Sequence, residues 1–388
     1  MTTTITARLI RAIEALRATT LLIGGLTTIE TAGAETGCQP IVSSEPATGH
    51  FVQIRSGFMV PYIETIPGTD LSFEMIPVAG VHAEGLPPFW IGKYEVTLAE
   101  YREFARLHDV FQTGVFHTRA WNNRKRIPEN RRVDADSPPT PHYPPRDRFA
   151  GVESLECPAY SMTLFAAKQY TKWLSLITKS PYRLPSELEW EHACREGGVP
   201  SAWTEKQVRQ YAVFGMETEN VLPVGSRKPN AWGICDMLGN ASEWVIADTP
   251  DPPHVGDQAE HSLESRTWLP RWVSKGGNFA SQLQDCMPER RFVITAEAWS
   301  EEALFPKSTT WLGSHADHAC IGFRVVRPLG KLNKASMSKY WDAETLRFRQ
   351  LVDTNLRDGR GVEGIVDFQR RELKAIERKE PPPWLDHE

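Results

Sequence analysis

The chain has 388 residues, 40% hydrophobic and 24% charged, with a formal net charge of -5. That is enough chain for one large soluble domain or two ordinary ones, and the charge gives no electrostatic reason to expect nucleic acid or an anionic membrane as partner. Thirteen Trp, 29 Pro and 27 Gly point to a loop-rich fold whose aromatics anchor irregular connections.

Residues 1–34 read as an export signal. Arg8, Arg11 and Arg17 form a basic region, residues 18–29 are apolar, and Ala32, Gly33 and Ala34 place small residues where a signal peptidase cuts. The apolar run is too short for a membrane span; an amphipathic helix is the competing reading. The residues before Cys38 make a poor lipobox, so no lipid anchor is expected, and the destination is periplasmic or secreted. In that setting the six cysteines could pair. None forms a Cys-x-x-Cys motif, which argues against a zinc ribbon, and buried free thiols account for them equally well.

Residues 35–70, broken by Pro and Gly, are expected to form an extended arm. Residues 73–80 and 88–96 read as strands rich in β-branched and aromatic residues. Thr97 and Glu100 make a capping box, and the helix behind them carries Tyr101, Phe104 and Leu107 on one side. Residues 117–148 hold a basic cluster and then a proline cluster, without apolar period; this is a long surface insert. A helix is expected over 163–177 with Phe165, Tyr170, Trp173 and Ile177 inward. Ser186 and Glu189 form a second capping box, opening a helix that carries His192. Residues 221–225 and 273–279 read as short strands, and 321–326 as the last strand. Beyond Leu329 the composition turns to charge. Residues 340–356 and 362–376 read as two amphipathic helices around Gly359, Arg360 and Gly361, forming either a docking extension or a partner-binding pair.

Residues 233–244 concentrate the chemistry. Gly239 and Asn240 both tolerate positive φ and signal a turn. Around that turn the Asp236 and Glu243 side chains and main-chain carbonyls can face one point. Oxygen ligands alone on a bent loop suit a hard cation such as calcium. A tight turn whose carboxylates cap backbone N–H groups is the alternative, and the spacing is not that of an EF-hand.

Five stretches in this order, residues 94–97, 183–191, 233–244, 275–277 and 322–324, resemble the formylglycine-generating enzyme (sulfatase-modifying factor) family. The resemblance implies an α+β, C-type-lectin-like, loop-rich domain over about 71–329, followed by a charged helical extension over 330–388. It also implies calcium held by the Asp236 and Glu243 side chains and the Gly239 and Ala241 carbonyls. The family's oxidising members hold copper(I) between two cysteines, a donor set that suits a soft ion. The matching positions here are Ser281 and Cys286. Asn278 replaces a Ser and Ser242 a Trp near the same place, and Arg291 and Val325 stand where those enzymes have disulfide cysteines. The family's iron enzymes take their histidines from a separate helical domain not recognised in these residues; His315, Asp317 and His318 offer one alternative set of ligands.

Two readings follow. One is an exported, calcium-stabilised protein that binds a protein, peptide or small-molecule ligand in the family groove and lacks the copper pair. The other is a divergent formylglycine-generating oxidase or metal-dependent oxygenase using Cys286, either as a reactive thiol or, against that, as a small buried residue.

Overall fold

Strand β6 (Phe89–Gly92) is buried along its whole length and has core on both faces. In a strand, alternate side chains point to opposite sides of the sheet. Trp90 packs into one hydrophobic cluster, with Tyr101, Tyr170, Trp173 and Phe323. Phe89 and Ile91 point the other way, into a second cluster with Trp190, Ile234 and Cys286. The computed structural model describes residues 40–107, 132–134, 154–160, 162–195, 204–248, 271–295, 320–330, 334–343, 350 and 363–365.

β6 lies between β5 (Ser72–Val78) and β12 (Val326–Pro328), with β4 (Tyr62–Thr65) outside β5. The register pairs Ile76 with Ile91 and Val78 with Phe89, which keeps each face of the sheet apolar. A second sheet has the order β10 (Phe292–Thr295), β9 (Arg271–Lys275), β8 (Ser242–Val245) and β11 (Ile321–Gly322), with β11 parallel to β8. The single strand expected over 321–326 is therefore two strands. Ile321 and Gly322 pair with β8, Val326 pairs with β6, and the three residues between them cross from one sheet to the other. That crossing delivers Arg324 to the space between the sheets.

The helices follow their capping signals. In α1 (Leu98–Ala105), Thr97 N–H donates to Glu100 Oε2 at 2.6 Å and Glu100 N–H donates to Thr97 Oγ1 at 3.3 Å. α2 (Leu164–Thr178) starts at Thr163, which accepts from Ala166 N–H. It is buried nearly all round, including Lys168, Gln169 and Lys172. In α3 (Glu187–Arg195) the second capping box forms as expected, and its Glu189 also takes Arg183 in a bidentate pair at 2.5 and 2.6 Å. α4 (Glu205–Val208) is a single turn.

Several sequence expectations are corrected. The stretch expected as an arm contains β1 (Ile41–Val42), β2 (Val52–Ile54) and β3 (Gly57–Met59), which form a small antiparallel sheet, and then β4. Residues 221–225 form no strand: their N–H groups go to Asn220, Asn240 and Asp236 side chains and to Glu156 O. The insert contributes β7 (Arg132–Asp134), whose partner is β13 (Glu363–Ile365). The helix expected over 362–376 is thus replaced at 363–365 by a strand, because β7 offers these residues a ladder and Gly364 disfavours helix. Of the helix expected over 340–356, Gln350 is helical, residues 342–343 are not, and 344–349 and 351–356 lie outside the described residues; ahead of it the chain forms α5 (Lys334–Trp341). It docks rather than projecting: Gln169 donates to Trp341 O at 2.7 Å, Lys168 to Asp342 O, and Trp341 Nε1 to Tyr182 O at 3.1 Å. The first two bonds satisfy carbonyls that the end of α5 leaves open and give the buried polar groups of α2 their acceptors.

Residues 1–34, with the expected signal segment, and His315, Asp317 and His318 lie outside the described residues. Among the described residues no helix is long and apolar enough to cross a membrane.

Candidate functional site

The loop expected to carry the cation forms a turn that needs positive φ at three positions. Asp236, Gly239 and Asn240 have φ of 54°, 73° and 59°, a region that Gly and, less often, Asn and Asp enter at low cost. Gly239 has a second reason to lack a side chain: a Cβ there would lie 2.1 Å from Val213 O. The turn is tied down by Gly239 N–H to Gly276 O at 2.8 Å and Asn240 N–H to Val213 O at 2.8 Å.

Arg324 is the centre of this region. It is fully buried, and its guanidinium donates to Glu243 through Nε at 2.7 Å and Nη2 at 2.5 Å. The remaining N–H groups reach Gly92 O at 3.0 Å, Cys235 O at 3.0 Å and Asp236 O at 3.2 Å. Burial alone would lower its affinity for the proton, but Glu243, together with Glu95 and Asp236, outweighs burial and raises it. Glu243 Oε2 also accepts from Trp190 Nε1 at 2.8 Å. The Glu243 carboxylate, expected as a calcium ligand, is therefore already engaged on both oxygens.

Asp236 Oδ2 accepts from Gly225 N–H at 2.6 Å. Burial pushes its pKa up to about 6, against the opposing effects of that N–H and of Arg324. A third carboxylate, Glu95, enters from the connection between β6 and α1. It is 2% exposed, and its Oε1 accepts from Asn240 Nδ2 at 3.2 Å and Ala241 N–H at 3.3 Å. Burial raises its pKa well above the ordinary carboxylate range, helped by the charges of Asp236 and Glu243. Glu95 was missed as a site residue, although it sits in the Tyr94 motif. The available signal was an acid inside an otherwise strand-like apolar run. Among the described residues no three His, Cys, Asp or Glu side chains are grouped so as to hold a metal ion. A cation here would have to combine fewer carboxylates with main-chain carbonyls, which hard ions accept.

The second candidate centre lies beside the first, linked by the Gly239–Gly276 bond and by Phe279 N–H to Asn240 O at 2.9 Å. Gly276 and Gly277 have φ of 88° and 67°. A Cβ on Gly277 would fall 2.8 Å from Cys286 Sγ and 3.2 Å from Ser281 Cβ, so Ser281 and Cys286 flank the same glycine. Ser281 Oγ accepts from Asn278 N–H at 2.9 Å, while Ser281 N–H donates to Asn278 O at 2.9 Å. The serine is thus committed to its own turn. Cys286 is fully buried, and burial pushes its thiol up to about 12. Cys157, Cys194, Cys235 and Cys286 are buried free thiols, which favours that account of these four cysteines over disulfides. At the other two departures, Arg291 donates to Glu187 at 3.1 Å and Val325 is buried.

On the rim of this centre, Gly215 N–H donates to Ser281 O at 2.8 Å and Met216 N–H to Phe279 O at 2.9 Å. Met216 has φ of 56° and is 65% exposed. A long apolar side chain in the left-handed region costs about 1–2 kcal/mol, held in place here by the two N–H bonds.

A family model described as "Sulfatase-modifying factor enzyme 1-like domain" matches residues 45–329. Hercynine oxygenase of Mycobacterium tuberculosis is 29% identical over 180 residues, which is 43% of this chain and 39% of that protein. Hercynine oxygenase of Mycolicibacterium smegmatis is 30% identical over 178 residues, 42% and 38% of the two chains. The chain thus matches less than half the length of these relatives. Among solved structures, Treponema denticola variable protein 1 aligns with a TM-score of 0.41 at 19% identity, covering 69% of this chain and 99% of that one. PvdO from Pseudomonas aeruginosa aligns with a TM-score of 0.38 at 20% identity, covering 74% and 100%.

Proposed function

The chain belongs to the sulfatase-modifying factor enzyme family, through a domain over residues 45–329, and from that premise we propose that it is an exported, calcium-stabilised binding member without copper-dependent formylglycine synthesis. One observation carries this reading. The place of the copper-holding pair is filled by Ser281, whose hydroxyl caps its own turn, and by Cys286, whose buried thiol is pushed up to about 12. Copper(I) is held by paired soft thiolates, and a serine hydroxyl committed to its own turn leaves Cys286 without a second one at this place. The exposed, conformationally strained Met216 beside this centre suits an apolar contact with a protein, peptide or small-molecule ligand, since such strain gathers at functional positions.

Copper(I) titration of the purified protein and of Cys286→Ala tests the reading. The expected result is no stoichiometric copper in either, and no aldehyde by mass spectrometry when the protein meets a Cys-x-Pro-x-Arg peptide. Stoichiometric copper lost in Cys286→Ala, or aldehyde formed, would overturn it. Calcium at the 236–243 turn is tested by melting with calcium or chelator, where binding to the folded state alone raises the melting temperature; identical curves would remove calcium from the proposal. Export predicts a mature protein beginning after Ala34, checked by N-terminal sequencing of the secreted or periplasmic fraction.

A second reading, a metal-dependent oxygenase, is favoured by the hercynine oxygenase relatives alone. Oxygen-dependent consumption of hercynine by the iron(II)-loaded protein would establish it, and its absence would leave the binding role.

A further inference from the structure

Met59, Met75, Met162 and Met237 are buried, and Met287 and Met337 are half-buried. Met216 is 65% exposed and is the one exposed methionine among the described residues. Its place is not one the main chain favours for a long side chain. Gly215 and Met216 have φ of 72° and 56°, positive at two successive positions as in a type I′ turn, whose central positions favour Gly, Asn and Asp.

The surroundings over-determine this turn. The 279–281 loop takes both central N–H groups, Gly215 through Ser281 O and Met216 through Phe279 O. Arg209 joins the two ends, donating to Phe214 O at 3.3 Å and to Glu217 Oε2 at 2.8 Å, with its guanidinium 4.4 Å from the centre of the Phe214 ring. Arg227 also donates to Glu217. Backbone strain persists where neighbouring structure fixes it, and each of these restraints runs through main chain or a neighbouring side chain. The Met216 thioether carries none of them, so its chemistry can change while the turn stays.

We propose that Met216 is a site of reversible oxidation by hydroperoxides, which alters the rim of the Ser281 and Cys286 centre and leaves the fold intact. With hydrogen peroxide, the sulfur lone pair attacks one oxygen and the O–O bond breaks. The departing hydroxide takes the proton of the transferred hydroxyl, giving the sulfoxide and water. Sulfur loses two electrons and the peroxide gains them. An apolar tip becomes a polar acceptor, and methionine sulfoxide reductases reverse the step at the expense of thiols. Loss of an apolar ligand contact on oxidation rests on the binding reading above; the oxidation itself does not.

The full-length protein, without ligand, is pulsed with dilute hydrogen peroxide, quenched, digested and mapped by mass spectrometry, and melting curves are taken on the same samples. Met216 should gain its oxygen about tenfold or more faster than any other methionine named here, since the others wait for local opening. The protein oxidised at Met216 alone should melt within about a degree of the untreated protein, and a reductase pair acting on both sulfoxide epimers should restore the thioether in the folded chain. A Met216 rate equal to those of Met287 and Met337 would overturn the site. A melting temperature lowered by several degrees, or a sulfoxide that the reductases leave in place, would overturn the reversible change of surface. Met216→Gly suits the positive φ and should fold and lose the fast phase; a fast phase that survives belongs to another methionine and overturns the assignment. Copper binding or aldehyde in the experiments above would count against the binding reading and leave the oxidation map unchanged.

Discussion

Alkylation of Cys286 in the native protein distinguishes a buried structural thiol from a working one. The thiolate is the nucleophile, and burial shifts this group from 9.0 to about 12. Three pKa units are about a thousandfold in thiolate fraction: at pH 8 about one molecule in ten is ionised for the unshifted thiol and about one in ten thousand for Cys286. The side chain is also 0% exposed, so a reagent must wait for local opening, which slows the reaction further. Pulses of iodoacetamide at pH 8, followed by digestion and mass spectrometry of the Cys286 peptide, give the native rate; the same pulses in urea give the reference. The native rate should be lower by about a thousandfold or more. A native rate within tenfold of the urea rate would refute the reasoning and restore Cys286 as a candidate nucleophile or copper ligand.

Arg324→Lys keeps the charge but loses the planar fork that binds Glu243 and four main-chain carbonyls, of Gly92, Lys93, Cys235 and Asp236. It should cost about 3–5 kcal/mol in urea unfolding, the range for breaking a buried pair; a loss below about 1 kcal/mol would mean the site relaxes around the ammonium. Burial raises Glu100 from 4.5 to about 7. Its stabilising contribution is therefore complete below pH 4.5 and is lost as pH rises through about 7, on the order of 3 kcal/mol in all. Glu100→Gln, which keeps the acceptor for Thr97, should flatten the fall in urea midpoint between pH 5 and 8, and an unchanged slope would assign the fall to other groups. Ending the chain after Gly330 removes the acceptors Trp341 O and Asp342 O from Gln169 and Lys168 on α2, and one of the two donors to Tyr182 O. The melting temperature should drop by several degrees; an unchanged one would show that α5 is a dispensable tail.

The helices and the turn were legible because their signals are local. Thr97 with Glu100 and Ser186 with Glu189 satisfy each other within one helical turn, and Gly239 with Asn240 announces positive φ through residue type alone. The five ordered motifs carried the family and its loop-rich α+β domain, which the match over residues 45–329 bears out. Partners distant in the chain were not legible. Glu363–Ile365 forms a strand by pairing with Arg132–Asp134, and the buried Lys168 and Gln169 bond to carbonyls at the end of α5, more than 170 residues on. The same holds at the site. Sequence spacing puts Asp236 and Glu243 on one loop and predicts that both face an ion. Arg324, 81 residues beyond Glu243, pairs with that carboxylate, and Glu95, 145 residues before Asn240, bonds to the turn from another part of the chain. Residue type and local spacing determine which groups a loop can contribute; the charge each group meets is decided by which strands the chain lays beside it.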